Sequence, residues 1–181
     1  IRGDVHRKYR CDSSVICLSF NTTIHYQSTP MSEFLQSDLN KVRRLPQRGH
    51  YEKETIYGIV DEALICHVGF VVDGQPFVMP TIHVRIDDTI YLHGAIANRM
   101  LSHIKEGNSV CLTMTLIDGI VFARSVFHHS MNYRSAVLFG KGSVIEEYDE
   151  KWKVFQALTE HIAKGRWDDA RKPTDKETNV T

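Results

Sequence analysis

A chain of 181 residues with 42% hydrophobic and 24% charged side chains can build one domain with a sizeable core, and is short for two. Its 22 basic residues balance 22 acidic ones, which argues against a nucleic-acid surface, and no apolar run approaches the roughly 20 residues that span a bilayer. The four cysteines, Cys11, Cys17, Cys66 and Cys111, form no C-x-x-C pair, and the last two lie in apolar runs, so a reduced, cytoplasmic protein is expected.

Residues 1–30 hold neither helical nor strand periodicity for long and read as a disordered or foreign extension, with Met31 as a natural start. Residues 31–50 form a polar, basic arm. The domain is expected over residues 51–170, followed by a polar, frayed tail over 171–181. It opens with a helix over Lys53–Ala63, where Ile56, Ile59, Val60 and Ala63 share a face. The apolar run Leu64–Val72 then has strand length and ends at Asp73-Gly74, a hairpin dipeptide. Its partner strand is Gln75–Arg85, with Phe77, Met79, Thr81, His83 and Arg85 on one face. Pro80 cannot donate to a ladder, which predicts an edge or a bulge there. After Asp87-Asp88 a third strand covers Thr89–His93, and a helix over Ala97–Glu106 stops at Gly107.

Ser109–Leu116 alternates between apolar and polar, and Asp118-Gly119 predicts a second hairpin into Ile120–Phe127. A polar interruption, His128–Asn132, precedes a strand over Tyr133–Glu146. The last helix, Asp149–Ile162, is expected to bury Trp152, Phe155, Leu158 and Ile162. Six strands joined by tight turns, with peripheral helices, predict a mainly β protein built as an antiparallel barrel.

The stretch Ile90–Arg99, IYLHGAIANR, runs from a strand through small residues into a helix start that carries Asn98 and Arg99. Such an arrangement suits an anion, while an ordinary N-cap at Asn98 and a solvated Arg99 explain it equally well on spacing alone. Thr81, His83 and His93 fall near the same helix start. His128-His129 suggests a metal, yet neighbours in an extended segment face opposite ways and no carboxylate sits at ligand spacing, so no metal site is expected. Gly140-Lys141-Gly142 reads as a bulge, Asp61-Glu62 as a solvated pair, and Trp152 and Trp167 as packing residues. No nucleophile elbow, Walker loop or G-x-G-x-x-G occurs.

The stretches PFVMPTIHVR, IYLHGAIANRML and RSVFHHSMNYRSAVLFGKG resemble the pyridoxamine 5′-phosphate oxidase-like FMN-binding split-barrel family, near its nitroimidazole-resistance branch, over roughly Arg48–Thr174. The resemblance implies a Greek-key split barrel, a homodimer, and FMN at the subunit interface. By it, Met79, Pro80, Thr81, Ile82 and His83 line the flavin ring system, and Leu92 and His93 flank the ribityl chain. Asn98 and Arg99 hold the phosphate, while Tyr133, Arg134 and Ser135 come from the facing strand. The implied activity is hydride or electron transfer between NADH or NADPH and a small-molecule substrate. A non-catalytic flavin or nucleotide carrier, and a haem-binding split barrel, are the alternatives. Members of this branch usually continue past the position of Thr181 into further strand that helps close the flavin pocket, and the pyridoxal-specific residues of the true oxidases lie in such a C-terminal segment, so pyridoxamine phosphate oxidation is not expected.

Overall fold

The architecture is that of a computed structural model, which describes residues 13–19, 32–95 and 97–179. Strand β1 covers Ser13–Ser19, helix α1 Lys53–Glu62, and strands β2, β3 and β4 Ile65–Val72, Gln75–Ile86 and Thr89–Ala95. Helix α2 (Arg99–Lys105) is followed by the long strands β5 (Ser109–Val121) and β6 (Ser130–Val144), and then by α3 (Tyr148–Ile162), α4 (Arg166–Asp169) and α5 (Asp175–Asn179). All pairings are antiparallel, and the strands close a barrel in the order β1-β4-β3-β2-β5-β6. The three hairpin-linked strands β2, β3 and β4, with β5 returning beside β2, form a Greek key.

Local chemistry explains the turns. Asp73 and Gly74 both take positive φ (51° and 78°), which matches a tight hairpin to the strand twist. Helix α2 ends in a Schellman motif, in which Gly107 N–H reaches the Ile104 carbonyl and Asn108 N–H the His103 carbonyl, and Gly107 takes φ 76°. Apolar residues from β2, β4, β5 and β6 fill the barrel, including Val68, Leu92, Leu112 and Met114 at 0% exposure. Helix α1 adds Ile59 and Val60 to this core, its C-cap adds Ala63, and α2 adds Met100, Leu101 and Ile104. A smaller cluster of Val84, Ile145, Val154 and Leu158 seats α3 against the barrel.

Several expectations are corrected. Ser13–Ser19, set apart with residues 1–30 as an unstructured extension, pairs with both β4 and β6, whose facing edges would otherwise keep open backbone groups. The remainder of residues 1–30 lies outside the described residues. Asp118-Gly119 is no hairpin: β5 runs through it, with a register shift between Ile117 and Gly119, because residues 119–121 go on pairing with Ser130–Asn132 of β6. The reversal falls later, around a 3₁₀ turn at Val126–His128. Gly140-Lys141-Gly142 keeps regular register against Ser109 and Val110, without the expected bulge. In α3 only Val154 and Leu158 are fully buried, and Ile162 is 52% exposed, since the helix lies on the barrel surface along a narrow seam. The tail is folded in its described part, where Glu177 takes the Arg171 guanidinium at 2.8 Å and Thr178 is buried.

Beneath α1, His83 is fully buried and donates its Nε2–H to the Val60 carbonyl at 2.9 Å, while its Nδ1 has no partner. Burial holds His83, and also His93, below the ordinary imidazole value. On unfolding both return to about 6.5, so the unfolded chain binds more protons in mild acid. The stability these two histidines contribute is therefore fully present above about pH 6.5 and is lost as pH falls below it towards the folded-state values. Urea midpoints measured between pH 7 and pH 5 should fall with acidity, and His83→Leu should flatten the slope while lowering the neutral-pH midpoint. A slope unchanged by His83→Leu contradicts this.

Candidate cofactor-binding site

Strand β3 changes partners along its length. It pairs with β2 over Gln75–Ile82 and with β4 only over His83–Ile86. Upstream of His83, its flank away from β2 therefore has no strand partner, and β4 diverges from it towards α2. Pro80 lies in this open stretch, as its missing N–H requires. The Thr81 hydroxyl spans the start of the gap with a long 3.4 Å contact to the His93 carbonyl. On the far side, the Arg99 guanidinium lies 4.8 Å from the centre of the Phe77 ring. Across this open flank the Phe77 ring thus meets the Arg99 guanidinium and the Thr81 hydroxyl meets the His93 backbone, with Met79 and Asn98 nearby in sequence.

The two faces of β3 have different surroundings. Met79 and Thr81 stand opposite Val68 and Cys66 on the barrel-side face, and Met79 keeps 39% of its surface exposed. Pro80 and Ile82 stand opposite His67 and Ile65 on the outer face. The side chains of His83 and Leu92 are at 0% exposure in the core and offer a ligand only their backbone. His93 is half-buried and packs edge-on against Phe155 at 5.5 Å.

Asn98 caps α2, its Oδ1 accepting the Met100 N–H at 2.8 Å, so the carbonyl oxygen is used and the NH₂ donors stay outside the cap. Arg99 follows as the first helical residue, exposed and steered by Phe77 through a cation–π contact. Gly94 explains how α2 comes so close: a Cβ there would sit 3.2 Å from Leu101 Cδ1. Phe77 was not singled out from sequence, although its place on the Met79–Thr81 face was the available signal.

Tyr133, Arg134 and Ser135 lie on β6 opposite Ile117, Leu116 and Thr115, with two strands between β6 and β3 in either direction round the barrel. Within one chain they do not join the cleft. Arg134 is engaged by Glu62 at 2.8 and 2.9 Å and by Asp118 at 2.8 and 3.1 Å. Its guanidinium holds both carboxyls below the usual range, and they raise Arg134 in turn. Asp61, expected to be solvated, pairs with Arg85 across α1 and β3. His129 Nδ1 accepts the Ala123 N–H at 3.0 Å in the β5–β6 turn. Among the described residues no group of histidines, cysteines and carboxylates is arranged to hold a metal ion, and no helix is long and apolar enough to cross a membrane.

The exposed Met79, the open flank of β3 and the Arg99 guanidinium beside it are chemically compatible with a flat, largely apolar cofactor that carries an anionic group. A Greek-key barrel opened along one strand is the split barrel of flavin-binding proteins. The chain belongs to the pyridoxamine 5′-phosphate oxidase family, whose model matches residues 52–181. Strand β1 lies outside that match.

Among solved structures, the flavocytochrome Anf3 from Azotobacter vinelandii is 33% identical, with a TM-score of 0.72, over 80% of this chain and 67% of that one. The FAD and heme binding protein from Mycobacterium smegmatis is 34% identical, with a TM-score of 0.66, over 71% and 62%. A putative 5-nitroimidazole antibiotic resistance protein from Bacteroides thetaiotaomicron is 28% identical, with a TM-score of 0.59, over 71% and 75%. No curated protein matches.

Leu101 is only 2% exposed and has little room to yield. Gly94→Ala should therefore cost about 1–3 kcal/mol through overpacking. A lowered thermal midpoint is the expected result, with a smaller drop when Gly94→Ala is made in a Leu101→Ala background, and an unchanged midpoint contradicts the close approach of α2 to β4.

Proposed function

We propose that this chain is an FMN-binding oxidoreductase that moves hydride or electrons between a nicotinamide nucleotide, NADH or NADPH, and a small molecule. The observation that carries it is the open flank of β3 facing an arginine held over Phe77. In this reading Met79 and Thr81 meet the ring system through their side chains, and Pro80, Ile82 and His83 through their backbone. His93 and the Leu92 backbone flank the ribityl chain, and Asn98 and Arg99 hold the phosphate. When bound, the flavin supplies the redox chemistry. The chain supplies donors at the ring edge and excludes water, which accounts for a cleft without an acid–base dyad.

The active form is a homodimer. Ile117, Ile120, Phe122, Val126 and Phe127 of the β5–β6 arm are 66–87% exposed, an apolar surface suited to a second copy. Tyr133, Arg134 and Ser135 of that copy then close the flavin cleft, Arg134 already being oriented by Glu62 and Asp118. A reducing, cytoplasmic setting suits the free thiols, since burial pushes Cys66 up to about 12 and leaves it inert.

A second reading adds haem to the flavin, because two of the matched structures, at 33% and 34% identity, are a flavocytochrome and a protein that binds FAD and haem.

The phosphate assignment separates FMN from riboflavin. Flavin titration followed by fluorescence should show Arg99→Ala weakening FMN by about ten- to a hundredfold, the worth of a charge-assisted contact, with riboflavin unaffected. Equal loss for both ligands contradicts it. Anaerobic NADH or NADPH should then bleach the bound flavin, whereas tight binding without bleaching would mark a carrier or sensor.

A further inference from the structure

We propose that the outer face of β2, β3 and β5 is a haem site, with the His67 imidazole as an axial iron ligand. The proposal deepens the haem reading above and rests on it. His67 is exposed in the interior of the sheet, paired with Thr113 of β5 on one side and Pro80 of β3 on the other. Strand side chains stand roughly perpendicular to the sheet, so this imidazole aims at whatever lies flat against it.

The surroundings are apolar and low. Ile65, Val78, Ile82 and Val137 share the face at 51%, 65%, 42% and 47% exposure. Gly69 beside His67 has no side chain, and Pro80 presents only its ring, which leaves flat ground around the imidazole. Same-face residues recur about every 7 Å along a strand and about 4.8 Å across strands. That spacing sets Ile65, Val78, Pro80 and Ile82 around His67 on the β2 and β3 side, with Thr113 directly across on β5 and Val137 beyond it. An imidazole standing over a largely apolar sheet face is what a haem iron and its macrocycle would use.

The other described histidines are committed elsewhere. His83, His103 and His161 reach backbone carbonyls, His129 accepts a backbone N–H, and His50 pairs with Glu52. His93 packs against Phe155 of α3, and His128 sits at the arm tip against Phe127. His67 has no hydrogen bond. The arrangement places flavin and haem on opposite faces of β3, with Met79 and Thr81 turned to one and Pro80 and Ile82 to the other.

Titration of the purified chain with haemin, followed by absorbance, tests this. The wild type should give a saturable Soret band that His67→Ala abolishes while FMN binding is kept. In His67→Gly, added imidazole should restore the band, a result that a merely structural role would not produce. His128→Ala and His129→Ala should leave it unchanged. A Soret band that survives in His67→Ala, or that disappears in His128→Ala or His129→Ala, overturns the assignment and leaves the haem reading standing. No band in the wild type overturns both.

Discussion

Strand β3 has two flanks and, over most of its length, only one strand to pair with. Its ladder to β2 ends at Ile82 and its ladder to β4 begins at His83, so the strand is handed from one neighbour to the next at a single step. Backbone N–H and C=O groups on the flank left open must find partners in water or in a ligand. Everything proposed for the site depends on that step, because it opens a barrel that is otherwise closed and places the opening beside the start of α2.

The elements around the opening keep it in shape. Gly94 lets α2 settle against the end of β4, Asn98 caps the helix, and Phe77 steers Arg99 over the gap. Behind β3, the buried His83 ties the strand to the last turn of α1 through the Val60 carbonyl, and Arg85 ties it to Asp61. A rigid strand with one flank open is well suited to a flat cofactor, since binding then orders little that is not already ordered. The alternation of side chains along β3 also gives each face its own character: Met79 and Thr81 look towards the cleft, and Pro80 and Ile82 towards the exposed apolar sheet that carries His67.

Much of this was legible in the residues. The alternation of Phe77, Met79 and Thr81, the positive-φ pair Asp73-Gly74 and the stop at Gly107 each follow from local chemistry that tertiary context left intact. Pro80 signalled an edge because its missing donor has no other tolerable place. Asp118-Gly119 misled because the same dipeptide serves a bulge when the partner strand continues past it, and only the register of β6 reveals that. The pairing of Ser13–Ser19 was illegible for a similar reason: a strand that closes a barrel is set by the open edges of β4 and β6, not by its own pattern. His83 and Leu92 were placed on strands that the structure contains, yet which side chains turn into the core is decided by the helices that cover them. The clamp of Arg134 between two carboxylates joins it to residues 72 and 16 positions away, separations at which no spacing rule operates.

Hydrogen–deuterium exchange with and without FMN tests the central claim most directly. If flavin lies in the split, the amides of β3 between Phe77 and His83 and those around Asn98–Arg99 should slow markedly when FMN is present, while the paired amides of β5 stay as they were. Exchange along β3 that FMN leaves unchanged, or protection that appears only on other strands, would contradict the account.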